Sequence, residues 1–106
     1  MIEIKAIVRR EKVEEIKKGL SEVGVNGFTH WHVMGHGRQK GILIDGVHYD
    51  ELPKEFIYLV VSDEKKTEVV TTIIRIAKTQ KNGKAGDGRI FVNYINEAYT
   101  ISQRAL

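Results

Sequence analysis

Cysteine is missing from the 106 residues, proline occurs once (Pro53) and tryptophan once (Trp31). Without cysteine there is no disulfide, no thiol nucleophile, and no thiolate ligand for a zinc finger or an iron–sulfur cluster. Long apolar runs are missing too. Nothing approaches the roughly 20 residues a membrane helix needs, so no membrane insertion is expected. The first residues alternate apolar and charged side chains, unlike a secretory leader, and the expected compartment is the cytoplasm. Serine is scarce, at Ser21, Ser62 and Ser102, and none stands in the glycine setting of a nucleophile elbow. Asp45, Asp50 and Glu51 could pair for acid–base chemistry. Their stretch offers no nucleophile, however, and they are expected to face solvent or a partner. No catalytic constellation emerges, and an enzyme is not expected.

The excess of positive charge is small, +3. A nucleic-acid binder should show a basic stripe interleaved with stacking aromatics. Here the one placed basic cluster sits in loops, so nucleic acid is not an expected partner. What the chain does have is 42% hydrophobic residues in a length that suits one domain with one core.

Residues 2–9 place Ile2, Ile4, Ala6 and Val8 on one side and Glu3, Lys5 and Arg9 on the other, the period of a half-buried strand. From Lys12, the apolar residues Val13, Ile16, Leu20 and Val23 recur at helical spacing, and Gly24 supplies the stop. Phe28 to Met34 reads as a second strand. Phe56 to Val61 is apolar nearly throughout and reads as a third, buried on both faces. Ser62 is expected to cap a helix that opens with Asp63 and Glu64 and buries Val69, Val70, Ile73, Ile74 and Ala77. Arg89 to Asn93 reads as a fourth strand, with Ala98 to Ile101 a possible short fifth. Strand–helix–strand twice over predicts an α+β sandwich of ferredoxin-like βαββαβ topology, an antiparallel sheet with two helices on one face. The other face, at Ile7, Thr29 and Trp31, then needs a cover, and another copy of the chain is the simplest one. An oligomer is expected.

The long connections carry the functional signal. Residues 35–54 hold Gly35, Gly37, Gly41 and Gly46 with no clear periodicity, and residues 79–88 form a second glycine-rich, basic loop. Glycine lets backbone N–H groups approach closely, and lysine or arginine neutralises a phosphate, so the two loops read as a candidate anion site. His30 and His32 share one face of the second strand. With His36 and His48 they make a metal site conceivable. A polar strand face at a subunit interface is the better reading, since no carboxylate falls at convincing sequence spacing. Trp31, on the opposite face, reads as core or interface.

Gly35-His36-Gly37-Arg38-Gln39-Lys40-Gly41 opens the long loop, Leu52-Pro53-Lys54 closes it, and Gly86-Asp87-Gly88-Arg89-Ile90-Phe91-Val92 leads into the fourth strand. In this order, with the VGVNGFT stretch from Val23 to Thr29, the set strongly resembles the PII nitrogen-signalling proteins over nearly the whole chain. The resemblance implies a single domain over residues 1–106, a homotrimer, and ATP or ADP bound in clefts between subunits. It implies a T-loop over about 37–54, the arm that inserts into targets, and a phosphate-cradling B-loop over about 79–89. Nucleotide contacts would come from Ile7, Thr29 and Val60, from Gly35, His36, Gly37, Arg38 and Gln39, and from Gly86, Asp87, Gly88 and Arg89. Gln39 and Lys54 would hold 2-oxoglutarate beside a Mg²⁺ that bridges it to ATP, Gln39 being the metal contact.

The stretch Asp45 to Lys54 and the run Glu97-Ala98-Tyr99-Thr100 look most like the nitrogenase-associated subgroup of that family. This implies a regulator of a nitrogen-metabolism target, nitrogenase in that subgroup, reached through Ile42, Leu43, Ile44 and Tyr49. The competing reading of Ile42 to Ile44 is a short hairpin on their own subunit. Tyr49 is not expected to be modified. Two departures stand out. The B-loop carries Thr79-Gln80-Lys81-Asn82-Gly83-Lys84-Ala85 before Gly86, about three residues more than the family pattern. Thr100 and Ser102 stand where the family's C-terminal segment supplies arginines. These departures keep an alternative open: a divergent PII-like trimer with lost or altered nucleotide binding, sensing another effector or a metal and regulating a transporter or other partner.

Overall fold

The structure, a computed structural model, describes residues 1–36, 43–44, 47–48 and 51–102. Strand β1 (Ile2–Arg9) alternates buried and half-buried side chains along its whole length, as its sequence period requires. A 3₁₀ turn at Arg10–Lys12 leads into helix α1 (Val13–Glu22), which buries Val13, Ile16 and Leu20. Gly24, at φ +84°, ends it where the sequence placed the stop, and the Val25 N–H closes the turn on the Leu20 carbonyl at 2.8 Å.

Strand β2 (Thr29–His36) is followed by the two-residue strands β3 (Leu43–Ile44) and β4 (Val47–His48), which pair only with each other. Strand β5 (Glu51–Val61), helix α2 (Lys66–Ala77) and strand β6 (Gly88–Tyr94) complete the chain. Every neighbouring pair in the sheet order β2-β5-β1-β6 is antiparallel. Ile4, Ile57 and Leu59 from the sheet meet Ile16, Leu20, Val69 and Ile73 from the helices in one core. This is the ferredoxin-like sandwich, with its helices on one face of an antiparallel sheet.

Several local expectations need correction. Phe56 to Val61 is not buried on both faces: Ile57, Leu59 and Val61 are buried, whereas Phe56 and Tyr58 are half-buried and Val60 is exposed. The apolar residues of the second face cover the sheet's bare side instead of a core. Pairing also extends further into the long connection than its glycines suggested. The ladder closes at Gly35↔Leu52 and His36↔Glu51, so residues 51–54 are strand. Leu43–Ile44 pair with Val47–His48, as the hairpin reading of that stretch has it, while Ile42 lies outside the described residues. Ser62 is the N-cap of a 3₁₀ turn at Asp63–Lys65 and its side chain bonds no backbone N–H there. Ala98 to Ile101 form no strand: β6 ends at Tyr94, and none of the described residues 95–102 pairs with a strand of the sheet.

Ile16→Ala removes a side chain with no exposed surface, and should cost about 2–5 kcal/mol in urea unfolding. Ile74→Ala, at a residue 43% exposed, should cost well under half as much.

Candidate functional site

Antiparallel pairing brings four chain segments to one end of the sheet. These are the end of β1, the end of β2, the start of β5 and the start of β6. The register fixes which face each residue takes. Ile7 pairs with Phe56 and Arg89, Arg9 with Lys54, and Gly35 with Leu52, all on the face away from the helices. Thr29 and Val60 share that face but lie at the opposite end, opposite Tyr58 and Glu3. One chain therefore gathers Ile7, Gly35, Lys54 and the 79–89 loop without Thr29 and Val60. His36, opposite Glu51, belongs to the helix-side face.

Gly88 sets the position of the loop. A Cβ there would stand 1.8 Å from the Ile7 carbonyl oxygen, and its φ is +122°. Any other residue would both clash and be strained. Just before it, the Asp87 carboxylate turns back into its own loop. It accepts from the Thr79 hydroxyl at 2.7 Å, the Lys84 N–H at 2.7 Å and the Arg9 guanidinium at 3.2 Å. Burial pushes its pKa up, but these donors outweigh it and hold the value down at about 2. Asp87 thus shapes the loop and spends its oxygens doing so.

Lys54 is only 6% exposed, and its ammonium donates to the Gly86 carbonyl of the same loop. Burial first, and the Arg9 charge second, lower its pKa. Gly35 leaves the room for its stem, since a Cβ there would sit 3.1 Å from Lys54 Cγ. A buried ammonium satisfied by a neutral carbonyl is a good partner for a carboxylate that displaces it. Sequence reasoning named Lys54 but missed the two residues that frame it. Arg9 donates to the Ala85 carbonyl at 3.1 Å, and Arg10 to the carbonyls of Lys54 (3.1 Å) and Val33 (3.3 Å). Two adjacent arginines at the end of an amphipathic strand were the available signal.

Gly37, Arg38, Gln39, Ile42 and Tyr49 lie outside the described residues, and so does the Mg²⁺ contact assigned to Gln39. Of Leu43 and Ile44 the backbone alone is described. The C-terminal run Glu97 to Ser102 carries no basic residue, with Tyr99 and Ile101 exposed.

Glu55 is the carboxylate that sequence spacing failed to place. It faces the helix side from β5, directly opposite His32. His30 and His32 each bring Nδ1 to 2.5 Å from one of its oxygens. Burial alone would raise the Glu55 pKa, yet the two imidazole bonds prevail and lower it. Among the described residues no group of three histidine or acidic side chains is arranged to hold a metal ion, so the His-based metal reading gains no support here.

On the bare face Trp31 stacks on Phe56 at 4.6 Å between ring centroids, and Trp31, Val60 and Phe91 are exposed. Among the described residues no helix is long and apolar enough to cross a membrane.

The described residues thus form a ferredoxin-like α+β domain with a cationic end and a bare apolar sheet face. Residues 1–105 match the family model described as "Nitrogen regulatory protein P-II". The chain is 45% identical over 102 residues to "Nitrogen fixation nifHD region glnB-like protein 1" of Methanococcus maripaludis, covering 96% of this chain and 94% of that one. It is 48% identical over 99 residues to "Nitrogen fixation nifHD2 region GlnB-like protein 1" of Methanosarcina barkeri, covering 93% and 91%. "Nitrogen regulatory protein P-II 2" of Methanothermobacter thermautotrophicus is 45% identical over 105 residues, with 95% and 89% covered. The chain belongs to the P-II family of nitrogen regulatory proteins, whose members are signalling regulators.

Because the folded Asp87 pKa lies below its unfolded value, its contribution to stability is present above the unfolded pKa and is lost as pH falls through the folded one. The stability gap between wild type and Asp87→Asn should therefore shrink by about 2 kcal/mol as pH falls from about 4 to about 2. Chemical denaturation at each pH measures it.

Proposed function

We propose that the protein is a cytoplasmic, non-enzymatic homotrimer that senses adenine nucleotide and 2-oxoglutarate and regulates a nitrogen-fixation target, nitrogenase in the first instance, through residues 37–50. The observation that carries this reading is Lys54. Its ammonium is buried, has no carboxylate partner among the described residues, and touches the 79–89 loop at Gly86. An effector carboxylate taking Lys54 would release that loop carbonyl, so effector and nucleotide would each report on the other. Arg38 and Arg89 would meet phosphates, and Gln39 would join Lys54 on 2-oxoglutarate and the ATP-bridged Mg²⁺. Ile42, Leu43, Ile44 and Tyr49 would reach the target. The uncovered aromatic face supports the trimer, since exposed Trp31 and Phe91 would be buried between copies. The names of the relatives from nitrogen-fixation regions support the choice of target.

A second reading is favoured by one observation. The described C-terminal run, Glu97 to Ser102, supplies no cation for phosphate. Nucleotide affinity would then be weak or changed, and another effector, with a transporter or other partner, would take its place.

Titration calorimetry with ATP and ADP, with and without 2-oxoglutarate and Mg²⁺, separates the two. Synergistic binding of ATP and 2-oxoglutarate is the expected result, and absence of nucleotide binding would favour the second reading. Lys54→Ala should abolish the 2-oxoglutarate effect and leave nucleotide binding largely intact. An unchanged response would refute the role given to Lys54. Ultracentrifugation should show a trimer, and a stable monomer at micromolar concentration would overturn the assembly.

A further inference from the structure

The sheet borders a cavity on its helix side. Helix α2, strand β6 and the 79–88 loop border an open cleft of about 620 Å³, within the range of small-molecule sites. Its walls are Val70, Ile73, Ile74, Ala77 and Val92, and its rim carries Lys78 and Lys84. Ile74 and Val92 are 43% and 41% exposed, so the apolar wall is open to solvent. Val8 lines the cavity from β1 while its neighbour Ile7 faces the opposite side, so the sheet itself separates this space from Lys54 and Gly35. The loop is the shared wall.

Charge and shape together define the occupant. Neither Lys78 nor Lys84 has a carboxylate partner among the described residues. The one acid on the lining, Asp87, is engaged by Thr79, Arg9 and the Lys84 N–H. The rim is thus net cationic over an apolar floor. From this charge complementarity we infer that the cavity binds a small amphipathic anion, an aryl or medium-chain acyl carboxylate. Its apolar body lies between α2 and β6, and its head lies at Lys84. Burial of the body contributes the affinity, and the unpaired ammonium groups select the charge. Such a ligand would press on the same loop that Asp87 clasps and Lys54 touches, from the face opposite the nucleotide cleft.

Anilinonaphthalene sulfonate, an aromatic anion that fluoresces in apolar surroundings, is a direct probe on the full chain. It should bind saturably, one molecule per chain. Decanoate should displace it, and decanol should do so only at about tenfold higher concentration. Lys84→Glu and Ile74→Gln, both at exposed positions, should each weaken binding by about tenfold or more. ADP at saturating concentration should leave the probe in place. The inference fails if binding is unsaturable, if neither substitution weakens it, or if decanol competes as well as decanoate. Displacement by ADP would place the probe in the nucleotide cleft and also overturn it. So would a change of sedimentation in Ile74→Gln, which would make the cavity an interface between copies of this chain.

Discussion

The contact on which the functional end depends is the passage of Gly88 over the Ile7 carbonyl. With no side chain at that point, the backbone of β6 enters the ladder beside β1 while turning sharply at positive φ. The loop before it is thereby laid across the end of β1, where Arg9 reaches Ala85 and Asp87 and where Lys54 reaches Gly86. Move the loop by the width of one methyl group and these contacts are lost together. A glycine fixed by sterics and a carboxylate satisfied from within thus hold a cationic loop in shape without using its lysines.

Strand β5 links the two halves of the chemistry. Its alternation sends Lys54 to the bare face and Glu55 to the helix side, and both side chains are buried. Each carries a charge, and each is satisfied by a different segment: the lysine by a loop carbonyl, the glutamate by two imidazoles of β2. Buried charges are tolerated only with such partners. The same strand supplies Ile57 and Leu59 to the core, so the functional end is anchored in the best-packed part of the molecule.

The strand period of residues 2–9, the helical spacing from Val13 to Leu20 and the stop at Gly24 were legible because each depends on residues close in sequence. The motif around Gly86 to Arg89 was legible as a resemblance, and the Gly88 approach gives it a physical reason. The unread features depend on pairing across strands. The Glu55 bonds to His30 and His32 arise from register, which the sequence does not spell out. The run Phe56 to Val61 misled because an apolar residue can serve a core or a bare interface face, and composition does not distinguish them. Arg9 and Arg10 stand outside both glycine-rich loops in sequence, although their guanidinium groups bind backbone carbonyls at the site.

The close of the β2–β5 ladder has a consequence for how proteins of this kind diverge. His36 and Glu51 lie opposite one another, so the chain leaves the ladder after His36 and re-enters it at Glu51, at a single rung. Residues could be added or removed within that segment without shifting any pair between β2 and β5. Doubling its length would cost only about 0.6 kcal/mol in closure entropy. The segment that would meet a target is therefore free to change length and sequence over evolution, while the end that would read the effector stays fixed.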